Sequence, residues 1–477
     1  MESAKYLFCV FKTINNCYLY DTNRNQFIEI SESVFSKLQA VSHGTLLMDD
    51  AENSSDEIRV LKEKGYLADR HVQVIEHPYT SSVEVLLKRR LQKVTLQLTQ
   101  NCNFRCSYCH YTSNDGGQRT HSNRRMSLEL AKKAICFLRD HSIDTPEVYV
   151  GFYGGEPLLE FPMIKELVLF AEEELKGKTI AFTLTTNAVL LSDEIIQFFI
   201  QHDIDLLISL DGNREAHNKN RVFASNGKGT FDTIISKLKE ISEKYPSFFK
   251  KITINMVMDP SVDFDEIDGI FTVYPFMKKI RVMSTIVDDV GASEKNVFSE
   301  CFTFKNRYHT FLSYLCVLNR FPSRNVTRVF LGQEKRLKAD LDTFSEYNGL
   351  PQKSAPSGPC VPGEVRLMVT VDGNFVLCER VSEISEPMII GNINSGIDMQ
   401  KVYKLLNIAQ TTAEYCKNCW AFHLCSLCAK NSDKAGVLSS EERLSYCTVS
   451  KSHAKDLLEK AVLIKEMTEI YGQTTNF

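Results

Sequence analysis

The sequence predicts an α/β chain whose parallel strands curve into a partial (βα)6 TIM-like barrel, and two observations carry that expectation. Six short apolar runs, at 94–98, 148–153, 180–186, 204–210, 252–258 and 280–283, alternate with longer helical stretches. Such alternation makes a parallel sheet with helices as crossovers. Polar and cysteine-rich segments follow several of these runs directly, where barrels of this kind collect functional groups.

The units follow in order along the chain. Residues 1–78 begin with three strand-like runs, YLFCVF (6–11), CYLY (17–20) and FIEI (27–30), separated by Asn-rich turns. Ser31 caps a helix carrying Val34, Leu38 and Val41, and a second helical stretch over roughly 54–65 stops at Gly65. Three strands followed by helices give a small winged-helix-like module. Residues 79–92 read as a linker with a solvated basic run, Lys88-Arg89-Arg90. The barrel spans 93–320, and in its first helix Leu128, Ala131, Ile135 and Leu138 share one face. Residues 321–356 form a less regular bridge, 357–448 a cysteine-rich domain, and 449–477 a closing helix and tail.

Charge and cysteine usage narrow the function classes. The net charge of −4 gives no bulk attraction to nucleic acid. Residues 1–76 hold 12 acidic against 8 basic side chains and would repel phosphate. No apolar run is long enough for a membrane span, and MESAKYLFCVFK lacks a signal-peptide pattern, so a cytoplasmic location is expected. There, fifteen cysteines point to metal ligands rather than disulfides. Ten fall in two blocks; Cys9, Cys17, Cys136, Cys301 and Cys316 are scattered and read as packed thiols.

Cys102, Cys106 and Cys109 lie within eight residues, in NCNFRCSYCHY. Three thiolates this close leave a four-iron cube one ligand short, and the open iron can bind a small molecule. A structural role, or zinc with a distant fourth ligand, is the alternative. The C-x3-C-x2-C pattern, with Tyr108 before the third cysteine, resembles the signature of radical S-adenosylmethionine enzymes. The resemblance covers roughly residues 92–285 through further segments at strand ends. Gly154-Gly155-Glu156-Pro157 follows the second strand; glycines allow close backbone approach to a ligand, and the resemblance assigns Glu156 to the amino group of the methionine portion. Thr185-Thr186-Asn187 ends the third strand, where Thr185 and Asn187 would bond a ribose. Ser209-Leu210-Asp211-Gly212 ends the fourth, ahead of His217 and Arg221. By resemblance Ser209 and Arg221 contact the ribose or carboxylate, which suits a guanidinium, while Asp211 and His217 organise the loop. His110 and Tyr111 would line the site or pack in the core.

The second block runs Cys360, Cys378, then Cys416-x2-Cys419-x5-Cys425-x2-Cys428, then Cys447. It resembles the SPASM extension, which carries two auxiliary four-iron clusters in peptide- and protein-modifying radical enzymes. Two residues rather than the usual three separate Cys425 from Cys428. The resemblance pairs Cys416, Cys419, Cys425 and Cys447 around an outer cluster, and Cys360, Cys378 and Cys428 around an inner one. Some such proteins add a fourth inner cysteine near position 354, which is Ser here, so the resemblance implies an open inner iron. Zinc is the alternative for the C-x2-C pairs, although seven cysteines exceed one site's needs.

These resemblances imply a reaction: a 5′-deoxyadenosyl radical takes hydrogen from a ribosomally made precursor peptide, whose cysteine sulfur is then joined to carbon. Sactipeptide and ranthipeptide maturases form thioethers in this way. Three [4Fe-4S] clusters, S-adenosylmethionine and an external one-electron donor of flavodoxin or ferredoxin type are implied. The acidic first unit resembles leader-peptide recognition domains, which take a peptide onto a sheet edge. The rivals are another radical peptide modification, such as a C–C cross-link or epimerisation, an anaerobic sulfatase maturase, or a redox-sensing regulator. Sulfatase maturases carry an acid, usually Asp, after the cysteine matching Cys378; here it is Glu379.

Overall fold

The computed structural model describes residues 6–109, 121–290, 292, 295–331, 339, 341–344 and 346–471. Three antiparallel strands, β1 (Phe8–Lys12), β2 (Cys17–Asp21) and β3 (Gln26–Ile30), open it with β2 in the centre. Helix α1 (Glu32–Ser42) starts where the Val34 N–H donates to the Ser31 hydroxyl, and buries Val34, Leu38 and Val41 with Phe8, Leu19 and Ile30. The expected second helix is α3 (Asp56–Glu63), and a short unexpected helix, α2 (Met48–Asn53), precedes it. Only Ala51 of α2 is buried, so no apolar period marks that helix in the sequence.

The other face of the small sheet packs on the end of the chain. Phe11, Tyr18 and Tyr20 meet Ala421, Leu424, Ala454, Leu458 and Val462. Buried Glu466 accepts from the Tyr18 hydroxyl at 2.8 Å and the Thr13 hydroxyl at 2.7 Å, which fixes the register of that contact.

Residues 79–92 are not a plain linker. They contain helix α4 (Val83–Arg89), with Val83 and Leu87 buried and Arg89 bonded to both oxygens of Asp144 at 2.7 Å. The basic run hid a helix whose inner face has only two apolar anchors.

All six expected barrel strands are present and parallel: β4 (Lys93–Thr99), β5 (Glu147–Gly154), β6 (Thr179–Thr186), β7 (Ile204–Ser209), β8 (Thr253–Met258) and β9 (Arg281–Ile286). Alternate residues, including Val94, Leu96, Val150, Phe152, Leu184, Leu206 and Ile254, share one core with the helices α5 (Leu128–His141), α6 (Phe161–Glu174), α7 (Asp193–Gln201) and α8 (Phe231–Lys244). The opposite row is polar: Thr95 and Gln97 on β4, Gly151 and Tyr153 on β5, Thr183 and Thr185 on β6, Asn255 on β8. Apolar layers therefore do not fill the concave side, as they do in a closed barrel.

Among the described residues β9 pairs only with β8, which leaves the barrel open at that edge. At the other edge the sheet continues into the cysteine-rich region. β10 (Leu367–Val369) pairs parallel with β4, and β11 (Asn374–Val376), β12 (Ile389–Asn392) and β13 (Gly396–Ile397) add antiparallel strands. The described chain ends in α9 (Cys447–Tyr471). Among the described residues no helix is long and apolar enough to cross a membrane.

Candidate functional site

The C-terminal ends of β4, β5 and β6 are fastened into a ring below Cys102. A Cβ on Gly154, whose φ is +141°, would lie 2.4 Å from the Thr99 carbonyl oxygen, and one on Gly155 would lie 2.1 Å from that of Asn101. The Gly155 N–H donates to Thr99 O at 2.7 Å and the Glu156 N–H to Asn101 O at 2.9 Å. Both glycines thus admit this chain's own backbone, immediately before the first cysteine.

The Glu156 carboxylate is 1% exposed and joins β5 to β6. It accepts from Leu158 N–H at 3.0 Å, the Thr186 hydroxyl at 2.7 Å and Asn187 N–H at 2.9 Å. Burial pushes its pKa up to about 7, against the pull of those three bonds. One carboxylate lone-pair site remains for an outside donor. Asn187 reaches on to the cysteine loop, donating to the Asn103 side chain at 2.7 Å. Thr185 lies half-buried on the concave row, and Ser209 is buried at the end of β7 beside Asn255.

A second fastening runs through Asp211. A short strand, Phe104–Cys106, pairs antiparallel with Arg221–Phe223, which sets Arg221 opposite Cys106. Arg221 donates to Asp211 from Nε at 2.6 Å and Nη2 at 3.2 Å, and its Nη1 lies 3.9 Å from Cys106 Sγ. Its guanidinium covers the Tyr108 ring at 5.4 Å, while the Tyr108 hydroxyl donates to the same carboxylate. The Val257 N–H supplies a further bond to Asp211 at 3.0 Å. Burial opposes charge on Asp211, but Arg221 outweighs it and holds the carboxyl below the usual range. The guanidinium expected to meet a cofactor is therefore committed to Asp211. His217 accepts from Asp211 N–H at 3.2 Å and meets the Thr230 hydroxyl at 2.9 Å; burial takes its pKa to about 3, so the ring is neutral and organises the loop.

Burial raises the Cys102 thiol to about 12 and Cys106 to about 11, and charge on Cys109 would push both the same way. The three sulfurs therefore lie in one locality, with Cys102 and Cys106 desolvated. His110 and Tyr111 lie outside the described residues.

Two residues of this locality escaped sequence reasoning. Gln97 and Gln100 both donate to buried Glu383, the latter at 2.8 Å, and Gln97 accepts from Val371 N–H at 2.9 Å. They tie the approach to Cys102 to the loop after Cys378. Their signal was two amides in an otherwise apolar strand run, VTLQLTQ.

The later cysteines fall into two groups. Cys416, Cys419, Cys425 and Cys447 all line one cavity of ≈ 740 Å³, with Thr412 and Arg443 in its wall. Arg443 is 1% exposed and donates to the carbonyls of Cys428 at 3.1 Å and Leu427 at 3.3 Å, fixing the loop that carries both groups. Burial raises Cys378 to about 11, and charge on Cys428 and Cys360 would raise it further, which places these three together. Ser354 sits in a short strand, Lys353–Ser354, paired with Val74–Ile75. Among the described residues no group of three Cys, His, Asp or Glu side chains is arranged to hold a single metal ion.

Residues 96–272 match the family model of the Radical SAM superfamily. The chain is 27% identical, over 77% of its own length and 95% of the other, to a cysteine-type anaerobic sulfatase-maturating enzyme of Clostridium novyi. It is 21% identical to the radical SAM cyclopropyl synthase TigE of Paramaledivibacter caminithermalis, over 55% of this chain and 60% of that one. An uncharacterised Methanocaldococcus jannaschii protein, MJ0907, is 31% identical over 144 residues, and the chain spans 46% of its length. In fold, the chain resembles native anSMEcpe with bound AdoMet and Kp18Cys peptide. The TM-score is 0.55 at 17% identity, covering 79% of this chain and 99% of that one.

Proposed function

We propose that this radical SAM enzyme modifies a ribosomally made peptide and joins a cysteine sulfur of that peptide to carbon. Cys102, Cys106 and Cys109 would hold the first [4Fe-4S] cluster, and Gly154, Gly155, Glu156, Thr185, Asn187 and Ser209 would surround S-adenosylmethionine. When bound, the pair supplies a 5′-deoxyadenosyl radical that abstracts hydrogen. The chain's own part is positional. Glu156 and Asn187 lock three strand ends to the cysteine loop, and Arg221 and Asp211 hold Cys106 and Tyr108 beside it.

The grouping of the later cysteines supports two auxiliary clusters, one on Cys416, Cys419, Cys425 and Cys447 and one on Cys360, Cys378 and Cys428. A cube spreads its thiolates more widely than a single ion does, so the lack of a single-ion arrangement suits this reading. The observation that carries the thioether chemistry is the inner group of three thiols. Its absent fourth partner would stand at Ser354, in a strand pinned by Val74–Ile75. A substrate thiolate can fill that place.

β1 and β3 are both free edges of the N-terminal sheet among the described residues, which supports strand addition of a leader segment. The test is anaerobic incubation with S-adenosylmethionine, reductant and a cysteine-containing precursor peptide encoded beside this chain. Loss of two hydrogens together with loss of thiol alkylation is expected. A changed mass with the thiol still alkylated contradicts thioether formation and favours another radical peptide modification, a reading the sulfatase-maturase and cyclopropyl-synthase likenesses support.

A further inference from the structure

Among the described residues, the concave face of the sheet carries a cation with no hydrogen bond or ion pair. Lys93 opens β4 with its Cα paired to Tyr149, and its stem runs up the lumen. A Cβ on Gly151 would lie 3.1 Å from Lys93 Cε and 3.2 Å from the hydroxyls of Thr95 and Thr183. Gly151 is thus the gap that the stem crosses, and two hydroxyls flank it. Three residues separate Gly151 from Gly154, so at ~3.3 Å per residue the stem ends about 10 Å beneath the strand-end ring. That depth lies inside the lumen, on the way from the ring to the cysteine-rich region.

The Lys93 ammonium makes no hydrogen bond or ion pair among the described residues. Glu379 acts on it from a distance, but Glu379 pairs with Arg366 at 3.3 Å. Asp205 shares the row of Thr95, Gly151 and Thr183, three strands along, and is exposed. Burial lowers the Lys93 pKa, the expected result for a desolvated ammonium with no close counter-charge. A cation in that position costs free energy until an anion reaches it.

We propose that Lys93, with the Thr95 and Thr183 hydroxyls, is an anion subsite that receives an acidic or thiolate side chain of the peptide substrate. The proposal rests on the peptide-modifying reading and adds to it a determinant of which side chain enters the lumen. An ammonium and two hydroxyl donors suit a carboxylate or a thiolate.

The test uses the anaerobically reconstituted full chain, immobilised and exposed to a randomised peptide library, with retained peptides sequenced by mass spectrometry. The wild type is expected to enrich an anionic residue at one position by about tenfold, the scale of a hydrogen bond to a charged group. Enrichment of Asp or Glu identifies a carboxylate, and enrichment of Cys a thiolate. Lys93→Met, which keeps the stem, is expected to lose that preference with iron content unchanged, and Lys93→Glu to enrich Lys or Arg instead. Anionic enrichment that persists in Lys93→Met, or retained peptides with no anionic preference, overturns the subsite while the peptide reading stands. An iron-loaded wild type that retains no peptide overturns both.

Discussion

Asp211→Ala is expected to destabilise the chain by about 3–5 kcal/mol, the cost of leaving one member of a buried pair uncompensated. Asp211 is 3% and Arg221 7% exposed, so water cannot take over the lost contact. The same substitution removes the acceptor of the Tyr108 hydroxyl and of Val257 N–H. Arg221 would turn to its remaining neighbour, Cys106, and move the loop that holds the first three cysteines. Denaturant unfolding of the iron-free chain reads the stability, and Asp211→Ala with Arg221→Met should recover much of the loss. A loss below about 1 kcal/mol, the range of an exposed pair, contradicts the buried geometry.

Gly155→Ala is the second large effect. Its Cβ would stand 2.1 Å from the Asn101 carbonyl oxygen, and the obstacle is backbone, which no rotamer change relieves. Overpacking of this kind costs about 1–3 kcal/mol, and here the displaced segment leads straight into Cys102. The variant is expected to fold with weakened binding of iron at Cys102, Cys106 and Cys109, while the C-terminal cysteines keep theirs. Gly177→Ala is the control. At φ +90° with nothing within 4 Å, it adds backbone strain alone. Equal iron loss in both variants contradicts the crowding argument.

The barrel was legible because its strands bury one face against helices and so carry dense apolar runs such as Val148, Val150 and Phe152. The extension of the sheet was not. β10 has three residues, and its parallel pairing with β4 joins positions far apart in sequence, which no local period records. Helix α4 was hidden by its basic outer face, and α2 by having one buried residue.

Within the site, residue types were legible and their partners were not. Glu156 and Asn187 stand at the ring of strand ends, and Asp211 and Arg221 stand beside Cys106. That Glu156 accepts from Thr186 and Asn187, and that Arg221 is committed to Asp211, depends on side-chain directions that spacing does not contain. Glu383 was invisible because its partners, Gln97 and Gln100, lie nearly three hundred residues away.

Iron and acid-labile sulfide analysis of anaerobically purified protein, with zinc measured alongside, tests the central claim most directly. Wild type and a Cys102→Ala, Cys106→Ala, Cys109→Ala variant are compared. About twelve iron and twelve sulfide per chain, falling by about four in the variant, is the predicted result for three cubes. About four iron with zinc at the remaining cysteines contradicts it, and removes the open inner cluster on which thioether formation depends.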